Sequence, residues 1–266
     1  MQVKNKTKNK SEVKRMAKII AVANQKGGVG KTTTAVNLSA ALHLLGKRIL
    51  LVDCDPQGNA SSGMGVSKSR RPNCYDLLIN GADPADCVVQ TAYGDVIPTG
   101  KELAAASVEL IQSERREYVL KDALMQLFSE YDYIFLDCPP SLELLTVNAL
   151  TAADSVLIPM QCEYYALEGI ADLMTSIRMC SRRLNRRLTI EGIVLTMYDA
   201  RANLTQQVAN ELRRYLPDKV YSTVIPRSVR LSEAPSHGQP GVVYDRVNKG
   251  SKGYLALAEE FLARNK

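Results

Sequence analysis

The sequence predicts an α/β fold: a doubly wound, mostly parallel β-sheet flanked by helices. Apolar runs alternate with amphipathic segments along the 266 residues, and most of these runs are continuously apolar, as in strands covered on both faces. Strands that alternate with helices form βα units, which favour a parallel sheet. No repeat and no linker rich in Pro, Gly or Ser interrupts the pattern. We therefore expect a single domain over residues 16–266.

Seven strands and six helices are predicted. The expected strands are 18–23, 48–53, 95–98, 133–137, 155–160, 190–197 and 220–225. The expected helices are 33–45, 113–130, 142–152, 167–184, 204–216 and 251–264. Leu120, Leu124, Leu127 and Phe128 have helical spacing within the second of these, and Pro217 marks the end of the fifth. Residues 54–112 show the least regular pattern.

Charge is concentrated at the N-terminus. Residues 1–15 carry six basic residues and one acidic residue, out of a formal charge of +6 for the whole chain, so residues 16–266 are nearly neutral. This polar stretch without periodicity predicts a disordered extension, either a leader ahead of Met16 or a weak electrostatic arm for an anionic partner. No run approaches the roughly 20 apolar residues of a membrane span. The six cysteines form no C-x-x-C pair, which is typical of a reduced, cytoplasmic protein.

Segment 26–33 reads K-G-G-V-G-K-T-T and lies between a predicted strand and a predicted helix. Glycines allow backbone N–H groups to turn toward a phosphate, which the N-terminus of the next helix also attracts. This context predicts a P-loop NTPase, with Lys31 at the β and γ phosphates and the Thr32 hydroxyl on Mg²⁺. The expected nucleotide contacts from the loop are Lys26, Gly27, Gly28, Val29, Gly30, Lys31, Thr32 and Thr33.

The loop departs from the ordinary G-x-x-x-x-G-K-[ST] pattern at two positions. Gln25 stands where the first glycine is expected, and a second lysine, Lys26, follows it. The form K-G-G-x-G-K-[ST] is the deviant Walker A motif. Because the segment has two lysines in this pattern, an ordinary glycine turn with incidental lysines does not explain it.

Acidic residues follow two predicted strands. Asp137 ends the run 133–137 and precedes Cys138-Pro139-Pro140, a Walker B arrangement that would hold Mg²⁺ through water. Asp53 ends the run 48–53 and Asp55 follows two residues later; two carboxylates at this spacing suit a site where one supports the metal shell and the other meets a water. The expected metal-site residues are Thr32, Asp55 and Asp137, and the expected catalytic residues are Lys26, Lys31 and Asp55.

The motifs K-G-G-V-G-K-T-T, D-C-D-P-Q-G-N and D-C-P-P-S resemble those of the ParA/Soj partition ATPases. The likeness continues through residues 161–169, 195–201 and 224–236 and covers the chain from about Met16 to its end. It implies that ATP, ADP and Mg²⁺ are the ligands and that Lys26 reaches the partner's ATP across a sandwich dimer. It further implies that Asp55 orients or deprotonates the attacking water, that Asp137 belongs to a second switch, and that Pro226 lies in the adenine-contacting segment.

The same resemblance implies a DNA surface and a protein partner. Arginines matching Arg201 and Arg230 carry non-specific DNA contacts in this family, and Arg227 lies in the same region; the guanidinium fork suits phosphate oxygens. The partner would be a ParB-type centromere-binding protein, and the location would be cytoplasmic, with nucleoid association when ATP is bound. Further arginines that could add to this surface are Arg178, Arg182, Arg183, Arg186, Arg187, Arg213 and Arg214.

Three other functions share the phosphate loop. A MinD-like ATPase that cycles on membranes would need a basic amphipathic C-terminal helix, whereas the last predicted helix carries adjacent acids. An iron–sulfur carrier or reductase-type ATPase would place cluster cysteines at the dimer interface, and Cys54 and Cys138 have the pattern of small buried side chains instead. A nucleotide-binding module without turnover would not need Lys26, Lys31 and Asp55 together.

Overall fold

The computed structural model describes residues 16–163 and 166–266; the predicted disordered extension, 1–15, lies outside them. All seven predicted strands are confirmed to within one residue, and they pair in parallel in one sheet of order β3-β2-β4-β1-β5-β6-β7. The strands are β1 (Lys18–Val22), β2 (Ile49–Asp53), β3 (Asp95–Ile97), β4 (Tyr133–Asp137), β5 (Ser155–Gln161), β6 (Thr189–Tyr198) and β7 (Val220–Pro226).

The described residues form twelve α-helices. They are α1 (Lys31–Leu44), α2 (Asn59–Gly63), α3 (Cys74–Ile79), α4 (Pro84–Cys87), α5 (Leu103–Glu109), α6 (Val119–Leu124), α7 (Leu144–Ala152), α8 (Ala166–Arg183), α9 (Asn203–Tyr215), α10 (Val229–Glu233), α11 (Gly241–Tyr244) and α12 (Lys249–Arg264). Short 3₁₀ helices cover Leu110–Gln112, Met125–Leu127 and Ala234–His237.

Five of the six predicted helices are confirmed with ends shifted by at most two residues. The helix predicted over 113–130 is wrong. Its first part is a turn in which Arg115 has a left-handed φ of 58°, a conformation that no α-helix contains. Only Val119–Leu124 is α-helical, and the chain then tightens into the 3₁₀ helix. The spaced leucines of this segment are nonetheless buried, as their pattern indicates.

The core lies in two layers, one on each face of the sheet. Along β1, Ile19 and Ala21 face one layer, and Ile20 and Val22 face the other. Helices α1 and α12 cover the second face, while α3 and α5–α9 cover the first. Burial on both sides explains why the strands are continuously apolar rather than alternating.

The C-terminal helix α12 docks on the sheet. Tyr254, Leu257 and Phe261 are fully buried, and the Phe261 ring meets that of Tyr133 edge-on at 5.1 Å. The apolar stripe of α12 is therefore used inside the protein. Within the described residues, no helix combines the length and apolar character needed to cross a bilayer.

The sheet topology brings the predicted site residues to one edge. Strands β2, β4 and β1 are neighbours, and Asp53, Asp137 and Val22 occupy equivalent positions in their registers. The phosphate loop and both acidic segments follow these three carboxyl ends directly. In parallel α/β sheets, crevices at this edge are the usual ligand sites.

Candidate nucleotide-binding site

The phosphate loop connects β1 to α1 through two left-handed glycines. Gly28 has φ 73° and Gly30 has φ 88°, and Gly30 is the N-cap of α1. The Thr196 hydroxyl donates a 2.7 Å hydrogen bond to the carbonyl of Val29, which fastens the loop to the end of β6. The loop thus lies at the N-terminus of a 14-residue helix, an arrangement that favours the binding of anions.

Lys31 is buried in this loop, with 7% of its surface exposed. Its Nζ donates a 3.0 Å hydrogen bond to the carbonyl of Lys26. Burial lowers the pKa of Lys31, and the negative charges of Asp137 and Asp55 oppose that shift. The amino group therefore lies close to both acids, in a place where a bound phosphate would add a further counter-charge.

Asp137 is the least satisfied group of the site. It is fully buried, and neither of its carboxylate oxygens accepts a hydrogen bond in the described part of the chain. Burial, and then the charge of Asp53, raise the pKa of Asp137 well above its usual value, while the Thr32 side chain and Lys31 act in the opposite direction. The Thr32 side chain is near Asp137 but forms no hydrogen bond of regular geometry with it, and a buried carboxylate in this situation is costly. A hydrated Mg²⁺ beside Thr32 would remove this cost, so the residues present fit the metal.

Asp53 has a different environment from Asp137. One of its oxygens accepts hydrogen bonds of 2.7 Å from both the backbone N–H and the hydroxyl of Ser61, and the other accepts one of 3.3 Å from the N–H of Asp55. Ser61 Oγ in turn accepts from the N–H of Thr99 at 3.0 Å. Burial raises the pKa of Asp53 to about 6 despite these bonds. Asp53 therefore anchors α2 to β2. The sequence analysis did not identify Ser61, its partner.

Asp55 lies in the tight turn between β2 and α2. Its Oδ1 accepts a 3.0 Å hydrogen bond from the N–H of Gln57, and its carbonyl accepts one of 2.8 Å from Gly58. Its charge acts on both Lys31 and Asp137. The structure thus brings Lys31, Asp55 and Asp137, three of the predicted site residues, close enough at the loop for their charges to act on one another.

Lys26 lies apart from this group. About half of its side chain is exposed, and its Nζ forms an ion pair with Glu163. Its backbone N–H donates to Asn24 Oδ1 at 3.0 Å, and Asn24 Nδ2 donates to the carbonyl of Pro159 at 2.8 Å. The two lysines of the loop therefore have different environments: Lys31 is enclosed and Lys26 points outward.

A small cavity of about 90 Å³ lies beside the N-terminus of α1. Thr33, Met197, Pro226 and Arg227 are among the residues that line it, which places Pro226 next to the phosphate loop. Met197 has a left-handed φ of 48° where the pairing of β6 with β7 shifts register. Such strain in a non-glycine residue is typical of ligand sites, and no pattern in the sequence predicts it.

The predicted DNA-contacting arginines lie at the same edge of the sheet as the phosphate loop, since they follow β6 and β7. Arg201 is 91% exposed and pairs with Asp199 at 3.2 Å. Arg230 pairs with Glu233 at 2.9 Å and with Asp245 at 3.4 Å. Arg227 is exposed.

The arginine run over 178–187 lies elsewhere. Helix α8 carries the chain back from the carboxyl end of β5 to the amino end of β6, so the end of this run is near the opposite edge of the sheet. The arginines named as candidates from the sequence therefore belong to at least two surfaces.

Comparison with known proteins agrees with this site. A family model described as an AAA domain matches residues 17–190. The chain is 57% identical over 251 residues to the sporulation initiation inhibitor protein Soj of Bacillus subtilis, covering 93% of this chain and 99% of that protein. It is 51% identical over 254 residues to the chromosome partitioning protein ParA of Caulobacter vibrioides, covering 94% and 95% respectively.

Solved structures share the fold. A cobyrinic acid a,c-diamide synthase of Mycobacterium smegmatis with bound ADP and magnesium is 34% identical, with a TM-score of 0.81 over 93% of this chain and 94% of that one. The septum site-determining protein MinD of Pyrococcus horikoshii, complexed with Mg-ADP, is 27% identical, with a TM-score of 0.75 over 92% and 96%. Both structures hold a nucleotide with magnesium, the ligands that the phosphate loop and Asp137 would suit here.

Proposed function

Since the chain belongs to the Soj/ParA family of chromosome-partitioning ATPases, we propose that it segregates a chromosome or plasmid by an ATP-gated cycle of dimerisation and DNA binding. Residues 16–266 would act as one ATPase domain. ATP would drive two chains into a sandwich dimer, and the dimer would bind DNA without sequence preference in the cytoplasm, on the nucleoid. A ParB-type centromere-binding partner would stimulate hydrolysis and release the dimer.

The contrast between the two loop lysines carries this proposal. Lys31 is enclosed beside Asp137 and Asp55, whereas Lys26 is half exposed and forms an ion pair with the partly exposed Glu163. An exposed ion pair contributes little to stability, so this cation can be given up to a second chain. If Lys26 neutralises phosphoryl charge in the partner's site, hydrolysis requires two loaded chains. Turnover by the protein alone would be slow for the same reason.

Each residue at the mouth of the loop would have one task. Lys31 would bind the β and γ phosphates, and Asp55 would orient or deprotonate the attacking water. Thr32 and Asp137 would hold Mg²⁺, Thr32 directly and Asp137 through water; the metal would supply charge stabilisation at the phosphates. The backbone N–H groups of Gly28 and Gly30 would cradle the phosphates, and Pro226 would lie against the adenine.

Binding to DNA gives the most direct test of this function. Affinity for random-sequence duplex DNA should be high with ATP, low with ADP, and steeply dependent on salt, because phosphate contacts release counterions. Measurement at two salt concentrations separates this term from base-specific contacts. An absence of DNA binding in both nucleotide states would refute the proposed DNA function and leave the ATPase site intact.

Arg230→Ala should weaken DNA binding by about tenfold or more without affecting dimerisation, because the variant loses a guanidinium that would contact a DNA phosphate. The measurement is DNA affinity with ATP, together with sedimentation of the ATP-bound protein. Arg48→Ala is a matched control: Arg48 has a similar exposure and a 2.9 Å ion pair, with Asp132, but precedes β2 at the opposite edge of the sheet. Equal affinities for the two variants would place the DNA surface elsewhere.

A further inference from the structure

The nucleotide-sensing turn and the DNA-contacting segment meet at two glycines, Gly65 and Gly238. Both are left-handed, with φ 76° and φ 62°. A Cβ added at Gly65 would lie 2.8 Å from the carbonyl oxygen of Gly238, and one added at Gly238 would lie 3.2 Å from Gly65 Cα. The two backbones are therefore in direct contact, with no room for a side chain between them.

On one side, this contact leads to Asp55. The buried Asp53 carboxylate binds the N–H of Asp55 and both donors of Ser61, so the turn after β2 and helix α2 form one hydrogen-bonded unit. Gly65 lies two residues after the end of α2, and its N–H donates a 3.0 Å hydrogen bond to the carbonyl of Ser62 within that helix. A displacement of Asp55 would therefore move Gly65 as well.

On the other side, the contact leads to Arg230. Gly238 ends the 3₁₀ helix Ala234–His237, which continues from α10 without a break. The Ser236 hydroxyl donates to the carbonyl of Glu233 at 2.7 Å, and Glu233 is the ion-pair partner of Arg230. The segment 229–238 thus positions the arginine and holds its counter-charge.

There is space beside the contact for this unit to shift. A cavity of about 270 Å³ lies between the start of α1, helix α2 and the segment 229–238; Thr32, Asn59, Ser62, Ser232 and Pro235 are among its lining residues. A rigid contact next to a void allows one element to slide against α1 while carrying the other with it.

We propose that the Gly65–Gly238 contact transmits the nucleotide state from Asp55 to Arg230, so that Gly65 and Gly238 act as positioning residues for the DNA surface. This inference rests on the proposed DNA-binding function and adds its regulation. In this mechanism the DNA-contacting segment of each chain changes its position when that chain binds ATP. The alternative is that dimerisation alone creates the DNA surface by bringing two unchanged segments side by side.

Gly65→Ala tests the contact, and Gly81→Ala is its matched control. Gly81 also has a left-handed φ, 65°, but a Cβ there meets nothing within 4 Å, so both variants carry the same backbone strain and only one disturbs the contact. In the wild type we expect DNA affinity with ATP to exceed that with ADP by about 5- to 150-fold, the usual range of coupling between sites. Gly65→Ala should reduce this ratio to about twofold or less, while ATP-dependent dimerisation stays within about twofold of wild type. Gly81→Ala should keep the ratio.

The outcomes separate the inference from the function beneath it. If the wild type shows no nucleotide-dependent DNA binding, the proposed function fails. If the wild type responds to ATP and Gly65→Ala dimerises and responds equally, the transmission through the glycines is refuted and juxtaposition in the dimer is sufficient. If Gly65→Ala does not fold, amide hydrogen exchange of the wild type gives the answer: ATP should change protection in residues 229–238 as well as 53–66, and a change confined to 53–66 overturns the proposal.

Discussion

Lys31→Ala should lose productive ATP binding, with an affinity at least about 100-fold below wild type. In the wild type, Nζ lies in the loop beside Asp137 and Asp55, where it can donate charge-assisted hydrogen bonds to two phosphates. Each such bond contributes about 1.5–3 kcal/mol. Without Lys31, the γ-phosphate would enter a site that keeps both carboxylates, Asp55 and Asp137, but has lost the positive charge that offsets them. Calorimetric titration with ATP and Mg²⁺ gives the affinity, and sedimentation gives the dimer fraction.

The control for this variant is in the same loop. Lys26→Ala removes an equal charge, but Lys26 is half exposed and paired with Glu163, so ATP should still bind with an affinity within a few-fold of wild type. Hydrolysis should nevertheless fall, because the proposed role of Lys26 is in the partner's site. A Lys31→Ala protein that dimerises normally with ATP would refute the assignment of Lys31. Equal losses of ATP affinity in both variants would show that the loop acts only through its total charge.

The sequence predicts the sheet better than it predicts the site. Every strand is identifiable because burial on both faces leaves continuous apolar runs such as Leu50–Val52 and Ile134–Leu136. The helix over 113–130 is predicted wrongly. The spacing of Leu120, Leu124 and Leu127 correctly indicates that these side chains are buried, but it contains no information on the backbone of the turn that precedes them. Helices α2–α5 carry four to seven residues each, too few for a 3.6-residue period to be distinguishable.

Within the site, motif spacing finds residues whose backbone is fixed by the strand that precedes them. Asp55 and Asp137 are of this kind. The roles of Asp53 and Ser61 depend on hydrogen bonds between the end of β2 and helix α2. The sequence pattern does not predict α2, so it cannot predict these bonds. The same applies to Thr196, which reaches the phosphate loop from 167 residues away, and to the contact between Gly65 and Gly238. Long-range contacts of this type determine how the site is held together, and only the folded chain reveals them.

Asp55→Ala should bind ATP, accumulate as a dimer and hydrolyse ATP about 10²- to 10⁴-fold more slowly, the range that a positioned general base contributes. Asp55 faces Lys31 and Asp137 without being the anchor of α2, since Asp53 has that role through Ser61. Removal of Asp55 should therefore spare the fold and the phosphate contacts and affect the attacking water. Phosphate release under saturating ATP, with sedimentation of the same sample, gives both quantities.

Two further substitutions decide whether the effect is chemical. Asp55→Asn keeps an acceptor for the N–H of Gln57 but removes the base, so it should turn over as slowly as Asp55→Ala. Asp53→Ala removes the acceptor of both Ser61 bonds and should instead lower the free energy of unfolding by about 1–3 kcal/mol, because buried donors lose their partner. If Asp55→Asn retained wild-type turnover, Asp55 would be a structural residue of the turn. A group other than Asp55 would then have to activate the attacking water. The argument that hydrolysis requires two ATP-loaded chains would be unaffected, because it depends on Lys26.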